Sequence, residues 1–373
     1  MRKAHKIICL LVLIVTWNVN FANIFNLPSP FGNSIVNNSI DGKYYRDHWQ
    51  YLNRNFSWLT DEPLNFQHPD VKKQLEYLSK NQLYMKNVSQ RAQPYLFYVS
   101  KEIYKRNLPA ELALLPIVES AFNPFANSSA GASGLWQIMP NTARFYGLEL
   151  NWWYDGRRDI VRSTDTALNY IENLYNYLNQ DWLLTIAAYN SGLGTVQRAI
   201  KYNKSINKDI DFWSLRLPKE TKNYIPKLLA FIKVVNNPQK YNQNLISIPH
   251  KPYFDIVDLS SQIDLKLAAQ LSEVSLEDIY TLNPGFNRFA TAPDGPRHLV
   301  LPVKNSGTFV SNLSILDDSD LVSYEKYTIQ TGDTLSGIAK KFETTIDILK
   351  KLNDLATNTI NINTDLIIPV RAA

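Results

Sequence analysis

Four short segments collect residue types suited to acid–base chemistry in a ligand-binding cleft: ALLPIVESAFNP (113–124), SAGASGLWQIMPNTA (129–143), AAYNSGLGTVQRAI (187–200) and ETKNYIPKLLAF (220–231). The first holds Glu119. On a helix the residues three, four and seven before it are Pro116, Leu115 and Leu112, so its carboxylate falls on an apolar stripe. A carboxyl group taken out of water resists ionisation, its pKa rises, and it becomes able to act as a general acid near neutral pH. The competing reading is a core-facing glutamate neutralised by an arginine. The second segment carries Gly131 and Gly134 among small residues, which suits a loop whose backbone approaches a ligand closely. Trp136 then offers a stacking surface and Gln137 an amide that both donates and accepts; alternatively, Trp136 belongs to the core. Tyr189 and Asn190 fall at a helix end released by Gly192 and Gly194. Asn141 is expected to cap the helix that follows the loop.

These residues must be positioned by helices. From Asp70 to about Val235 the apolar spacing is helical. Helices are expected at Val71 to Tyr84, Ala92 to Arg106, Glu111 to Ser120 with Pro109 in its first turn, and Thr164 to Leu178. Others are expected at Asp181 to Tyr189, Thr195 to Tyr202 and Glu220 to Val235. Residues 23–69 are rich in Asn, Ser and Pro and read as a linker or lead-in. Before them, Arg2, Lys3 and Lys6 precede an apolar run from Ile7 through Trp17, so residues 1–22 read as a secretory signal peptide or an uncleaved N-terminal anchor. Cys9, the only cysteine, lies inside that run rather than after it, which argues against a lipoprotein. A periplasmic or cell-envelope location follows.

Removing the three basic groups of the signal from the formal +5 leaves +2, which gives no case for nucleic acid. No metal-ligand cluster or phosphate loop is apparent, and no cofactor is expected. The 21 Tyr and 8 Trp supply flat surfaces that stack on sugars, although aromatics more often fill cores.

After Pro238 the texture changes. LAAQLSEVSLEDIYTLNPG from Leu267 and GIAKKFETTIDILKKLNDL from Gly337 align with Ala269 on Ala339, Leu276 on Ile346, Ile279 on Leu349, Leu282 on Leu352 and Asn283 on Asn353. Downstream, LVLPV (299–303) corresponds to LIIPV (366–370) with three extra residues in the first copy. Each copy predicts strand, two short helices, strand. The second copy opens with YTIQTGDTLSGIAKKF, in which Thr331, Gly332 and Asp333 form a turn and Asp333 or Thr334 caps the next helix. It resembles a LysM module, a small βααβ unit that binds N-acetylglucosamine-containing glycan. The first copy lacks the Gly-Asp-Thr turn and reads as a degenerate module.

Together, the Glu119–Ser120 pair, GLWQIMP (134–140), AYNSG (188–192) and NYIPK (223–227) resemble the motifs of lytic transglycosylases of the soluble-lytic-transglycosylase type. The resemblance spans about residues 75–235, with the LysM tail in the expected place. It implies a mainly α lysozyme-like catalytic domain at 70–238, followed by small α+β LysM-type modules at 250–305 and 325–371. It further implies that Glu119 is catalytic, that Ser128, Gln137, Tyr189 and Asn190 line the substrate cleft, and that Tyr224 stands near Glu119. The substrate would be peptidoglycan glycan strands; protein partners are not indicated. Trp136 departs from the methionine many members carry, implying altered stacking on glycan. Two-carboxylate glycosidases need a second acid, but Asp155, Asp159 and Asp165 match no motif and read as turn and cap residues. The resemblance implies a one-carboxylate route in which Glu119 is acid and then base and a 1,6-anhydro sugar forms. The alternatives are a hydrolytic goose-type muramidase and a non-catalytic peptidoglycan-binding envelope protein.

Overall fold

The computed structural model describes residues 45–60, 64–317, 321–322, 324–353 and 355–369, all within the unit spanning Asp41–Ala373. The N-terminal apolar run, and the secretory reading attached to it, lie outside these residues. Among the described residues no helix is long and apolar enough to cross a membrane.

The helical part begins earlier than the sequence suggests. α1 (His48–Asn55), in the stretch read as lead-in, is capped by Asp47, whose carboxylate accepts from the Trp49 amide, and buries Trp49, Tyr51 and Leu52. The polar, proline-rich surroundings hide this short apolar face from a periodicity argument. One expected helix is two: α2 (Pro69–Lys80) and α3 (Gln82–Ala92) are separated at Asn81, whose backbone leaves the helical region. α4 (Leu96–Lys105) follows.

The segment expected as one helix over 111–120 is also split. A 3-10 turn at Ala110–Leu114 leads into the six-residue α5 (Leu115–Ser120), which ends on Ala121 in the left-handed region. After α6 (Pro140–Phe145), α7 (Ile160–Tyr177) and α8 (Trp182–Ser191) are capped by Asp159 and Asp181, which accept from the Arg162 and Leu184 amides. α8 stops at Gly192, whose φ of 84° suits glycine, whereas Gly194 lies within α9 (Leu193–Ser205). α10 (Lys219–Asn236) runs through the middle of the bundle, packed against α2, α5 and α8, with Ile225 and the Leu228–Ile232 run buried.

The two repeats have the expected order. In the first, β1 (Phe254–Asp258), α11 (Leu265–Ser272), α12 (Leu276–Leu282) and β2 (His298–Pro302) are followed by an additional helix, α13 (Val303–Leu313). The second contains β3 (Tyr324–Thr328), α14 (Leu335–Lys341), α15 (Ile346–Leu352) and β4 (Asp365–Pro369). In each, the two strands pair antiparallel, Phe254 against Pro302 and Tyr324 against Pro369.

The copies share their local solutions. Asp264 and Thr334 cap the first helices, Glu273 and Glu343 adopt φ of 53° and 50°, and Ser275 and Thr345 cap the second helices. The shared asparagine closes each module by imitating a strand. Asn283 donates to the Val300 carbonyl (2.8 Å) and accepts from the Val300 amide (2.7 Å); Asn353 does the same with Ile367 (2.8 and 2.6 Å). Val300 is 1% exposed and Ile367 39%. An unpaired polar group costs most where water cannot replace its partner. Asn283→Ala should therefore destabilise its module by about 2–4 kcal/mol and Asn353→Ala by about 1 kcal/mol. Native-state hydrogen exchange at the Val300 and Ile367 amides measures both; an equal or reversed ordering contradicts the clip.

Candidate active site

Glu119 lies one residue before the end of α5, half-buried in the wall of a cleft of about 820 Å³. Pro116 and Leu115 behind it are buried, as the apolar stripe requires, and Leu112 is buried although it belongs to the 3-10 turn. Tyr224 on α10 donates its hydroxyl to Glu119 Oε1 at 2.5 Å. The neutralising arginine considered from sequence is replaced by this phenol.

Burial pushes the Glu119 carboxyl up to about 7, against the opposing pull of the Tyr224 hydrogen bond and the Lys227 ammonium; Glu220 adds to the rise. Burial and the adjacent carboxylate hold the Tyr224 phenol well above its ordinary value, so it stays a donor. Burial also holds Lys227 below the usual ammonium range, although Glu119 opposes this.

The loop 126–138 forms the facing wall. Ser120 Oγ donates to the Leu135 carbonyl at 2.9 Å and so joins α5 to the loop. Ser128 is exposed on the cleft; its hydroxyl accepts from the Ala132 amide at 2.9 Å and its own amide donates to the Ala132 carbonyl. Gln137 lines the cleft with its Nε2 already committed to the carbonyls of Ala126 (3.0 Å) and Gly134 (2.8 Å), so it ties the loop as well as facing the ligand space. Gly134, at φ 82°, has no alternative: a Cβ there would fall 2.0 Å from the Arg157 carbonyl oxygen.

Tyr189 and Asn190, near the end of α8, both line the cleft, and Tyr189 donates its hydroxyl to the Trp136 carbonyl at 2.8 Å. The cleft therefore gathers all six residues singled out from sequence: Glu119, Ser128, Gln137, Tyr189, Asn190 and Tyr224.

Two expectations need correction. Trp136 is no stacking platform: it is fully buried, and its indole N–H donates to Thr164 Oγ1 at 3.0 Å. Asn141 does not cap α6, because Pro140 already occupies the first turn and Met139 is the cap position, without a side-chain hydrogen bond. Of the three aspartates, Asp159 caps α7, Asp155 forks onto Arg157 in a turn, and Asp165 sits inside α7 paired to Arg106. None of them lines the cleft. Among the described residues, its carboxylates are Glu119 and Glu220.

Sequence reasoning gave no role to Tyr170, whose ring packs against Tyr189 at 5.5 Å, or to Glu220, Asn223 and Lys227, which form one α10 face with Tyr224. The spacing of that face, i, i+3, i+4, i+7, was available in the sequence. Only its polarity disguised it, since a polar stripe ordinarily means a solvated surface.

Three family models match the chain: Transglycosylase SLT domain over residues 97–212, the LysM-like domain of lytic transglycosylase MltD over 253–318, and LysM domain over 327–369. The first of these matches falls within the helical part of the chain. Membrane-bound lytic murein transglycosylase D of Escherichia coli (strain K12) is 39% identical over 295 residues, 76% of this chain and 65% of that protein. The chain thus spans somewhat less than two thirds of that relative's length. Membrane-bound lytic murein transglycosylase C of Actinobacillus pleuropneumoniae is 32% identical over 135 residues, 32% of this chain and 36% of that protein. Among solved structures, an inactive mutant of lytic transglycosylase Slt from Pseudomonas aeruginosa matches with TM-score 0.29 and 25% identity, covering 40% of this chain and 25% of that one.

Two measurements check the carboxyl's setting. Removing the phenol donor in Tyr224→Phe deprives the ionised form of Glu119 of a hydrogen bond, so its pKa moves upward from about 7; a carbonyl-carbon NMR titration reads the direction. The raised value also means that ionising Glu119 destabilises the fold as pH climbs from about 4.5 to about 7. Glu119→Gln should therefore raise the melting temperature more at pH 8 than at pH 5. An equal shift at both would deny the carboxyl its buried setting.

Proposed function

We propose that this chain, which carries an SLT transglycosylase domain ahead of two LysM-type modules, cleaves the β-1,4 bond between N-acetylmuramic acid and N-acetylglucosamine in peptidoglycan without consuming water. The observation that carries the reading is Glu119, a carboxyl poised near pH 7 in the cleft wall and held by the Tyr224 hydroxyl. At that pKa one group serves both halves of the reaction. As acid it gives its proton to the bridging oxygen, which leaves with N-acetylglucosamine. The positive charge developing at the muramoyl C1 is taken up by the substrate's own N-acetyl oxygen. As base, Glu119 then removes the proton of the muramoyl C6 hydroxyl, whose oxygen closes onto C1, producing the 1,6-anhydro end and restoring the acid.

Tyr224 steadies the carboxylate that exists between the two proton transfers. Lys227 contributes positive charge at the same moment. Ser128, Gln137, Tyr189 and Asn190 are assigned to binding the glycan along the cleft. The resemblance to a membrane-bound transglycosylase supports a site of action in the cell envelope, and the second LysM-type module is assigned to N-acetylglucosamine-containing strands.

Mass spectrometry of digested sacculi tests the chemistry: released muramoyl ends should lack the water that a muramidase adds. Ends that all carry added water would mean hydrolysis. Glu119→Gln should lower glycan release by about a thousandfold, and equal release by variant and parent removes Glu119 from the mechanism. Because the first step needs the protonated carboxyl, kcat/KM should fall as pH rises past about 7. Deleting residues 325–373 should weaken co-sedimentation with sacculi while leaving cleavage of short soluble glycans nearly intact, since the tail acts by raising local concentration. Unchanged sedimentation would assign the grip elsewhere.

A further inference from the structure

The first LysM-like module does not stand apart from the helical domain. Trp153 and Tyr154, from the segment between α6 and α7, are built into its apolar core beside Ile263, Phe286 and Leu299. Backbone bonds stitch the contact: Asp155 N–H donates to the Gly285 carbonyl and Asn287 N–H to the Trp153 carbonyl, both at 2.8 Å. His298 at the start of β2 meets the buried Asp159 carboxylate at 2.9 Å. Gly285 is required by this fit, since a Cβ there would come within 2.7 Å of the Tyr154 ring and 3.1 Å of Asp159 Cβ.

These docking residues are where the two copies part. Two, three and four positions after the shared asparagine the first copy has Gly285, Phe286 and Asn287, and the second Leu355, Ala356 and Thr357. Phe286 is 5% exposed, whereas Ala356 is open to solvent. The face left free in the second module is covered in the first by the helical domain.

The docked segment reaches the cleft. Asp155, fixed by Gly285, holds Arg157 in a two-pronged pair (Nε to Oδ1 2.9 Å, Nη2 to Oδ2 2.7 Å). Arg157 Nη1 then donates to the Gly131 carbonyl at 2.6 Å, and the Arg157 carbonyl is what Gly134 packs against. The Gly131–Gly134 stretch is the cleft loop that presents Ser128 and Gln137.

We propose that the first module is a buttress rather than a glycan grip: it fixes the Trp153–Arg157 segment, and Arg157, as a positioning residue, sets the cleft loop. The proposal takes the cleft's role from the function proposed above, but its hydrogen-exchange arm does not depend on it.

The full chain is compared with Arg157→Ala, Arg157→Lys and Gly285→Val. Amide exchange at Gly131, Ala132 and Gly134 should accelerate about tenfold in Arg157→Ala and Gly285→Val. KM for short soluble glycans should rise about tenfold, a change that loss of folded enzyme would not produce because that lowers kcat alone. Arg157→Lys, retaining one donor for Gly131 but not the fork, should recover part of the KM. Co-sedimentation with sacculi should match the parent in every variant. Unchanged loop exchange in Arg157→Ala overturns the proposal. So does a Gly285→Val protein that binds sacculi more weakly at unaltered KM, because the module would then be gripping glycan. If Gly285→Val fails to fold by circular dichroism, the two Arg157 variants decide. If the parent cleaves no glycan, the activity reading falls and the exchange result still decides the buttress.

Discussion

The 2.5 Å hydrogen bond from Tyr224 to Glu119 joins α10 to α5 across 105 residues of chain, and the surrounding structure is arranged to make that short bond useful. A carboxyl group in water would ionise near its ordinary value and be spent as an acid at neutral pH. One buried without a partner would never ionise and so could not take a proton back. Partial burial raises Glu119, and the phenol and Lys227 restrain the rise, so that both protonation states are reachable near pH 7. The helical bundle supplies both halves of this balance. The apolar Leu112–Ile117 run puts α5 against the core, and the one polar stripe of α10 brings the donor and the cation to the same spot.

A balance of this kind fails if the opposite wall of the cleft moves, because water would then reach the carboxyl. The 126–138 loop has little regular structure with which to hold itself. It is held by side chains committed inward, Ser120 to Leu135, Gln137 to Ala126 and Gly134, and by Tyr189 on the Trp136 carbonyl. Residues that look as though they should face substrate are thus partly engaged in keeping the loop's shape. Trp136 is the extreme case, wholly internal, with its carbonyl rather than its ring directed to the site.

Much of this was legible in the sequence, and the parts that were not share a cause. The existence of α7 follows from its apolar spacing, although it begins at Ile160 behind the Asp159 cap and not at Thr164, and α8, buried all round from Leu183 to Ala188, follows from its apolar content after Asp181. So do the two repeats, because a module with few residues must reuse its caps and its asparagine clip. Breaks depend on finer balances: Asn81 splitting α2 from α3, and a 3-10 turn rather than a helix before α5, each involve one or two residues whose preferences are weak beside tertiary packing. Trp136 and the companions of Tyr224 on α10 were misread or missed for the opposite reason. Type and spacing were plain, but which side of an element faces the cleft is decided by partners far away in sequence.

The two modules make the same point about surfaces. Their backbones repeat down to the left-handed glutamates at 273 and 343, so the fold alone does not separate their duties. What separates them is a few positions after the shared asparagine and at the start of the closing strand, where Gly285, Phe286 and His298 stand against Leu355, Ala356 and Asp365. A glycine there admits another backbone, a phenylalanine fills an apolar seat, and a histidine meets a buried carboxylate held below its ordinary pKa by that contact. Breaking such a pair from one side would leave a charge in the interior, a cost larger than the pair's own net contribution. The docking thus joins a buried polar lock to the apolar seat of Trp153, Tyr154 and Phe286, which is what a duplicated module needs if it is to become part of its neighbour's framework.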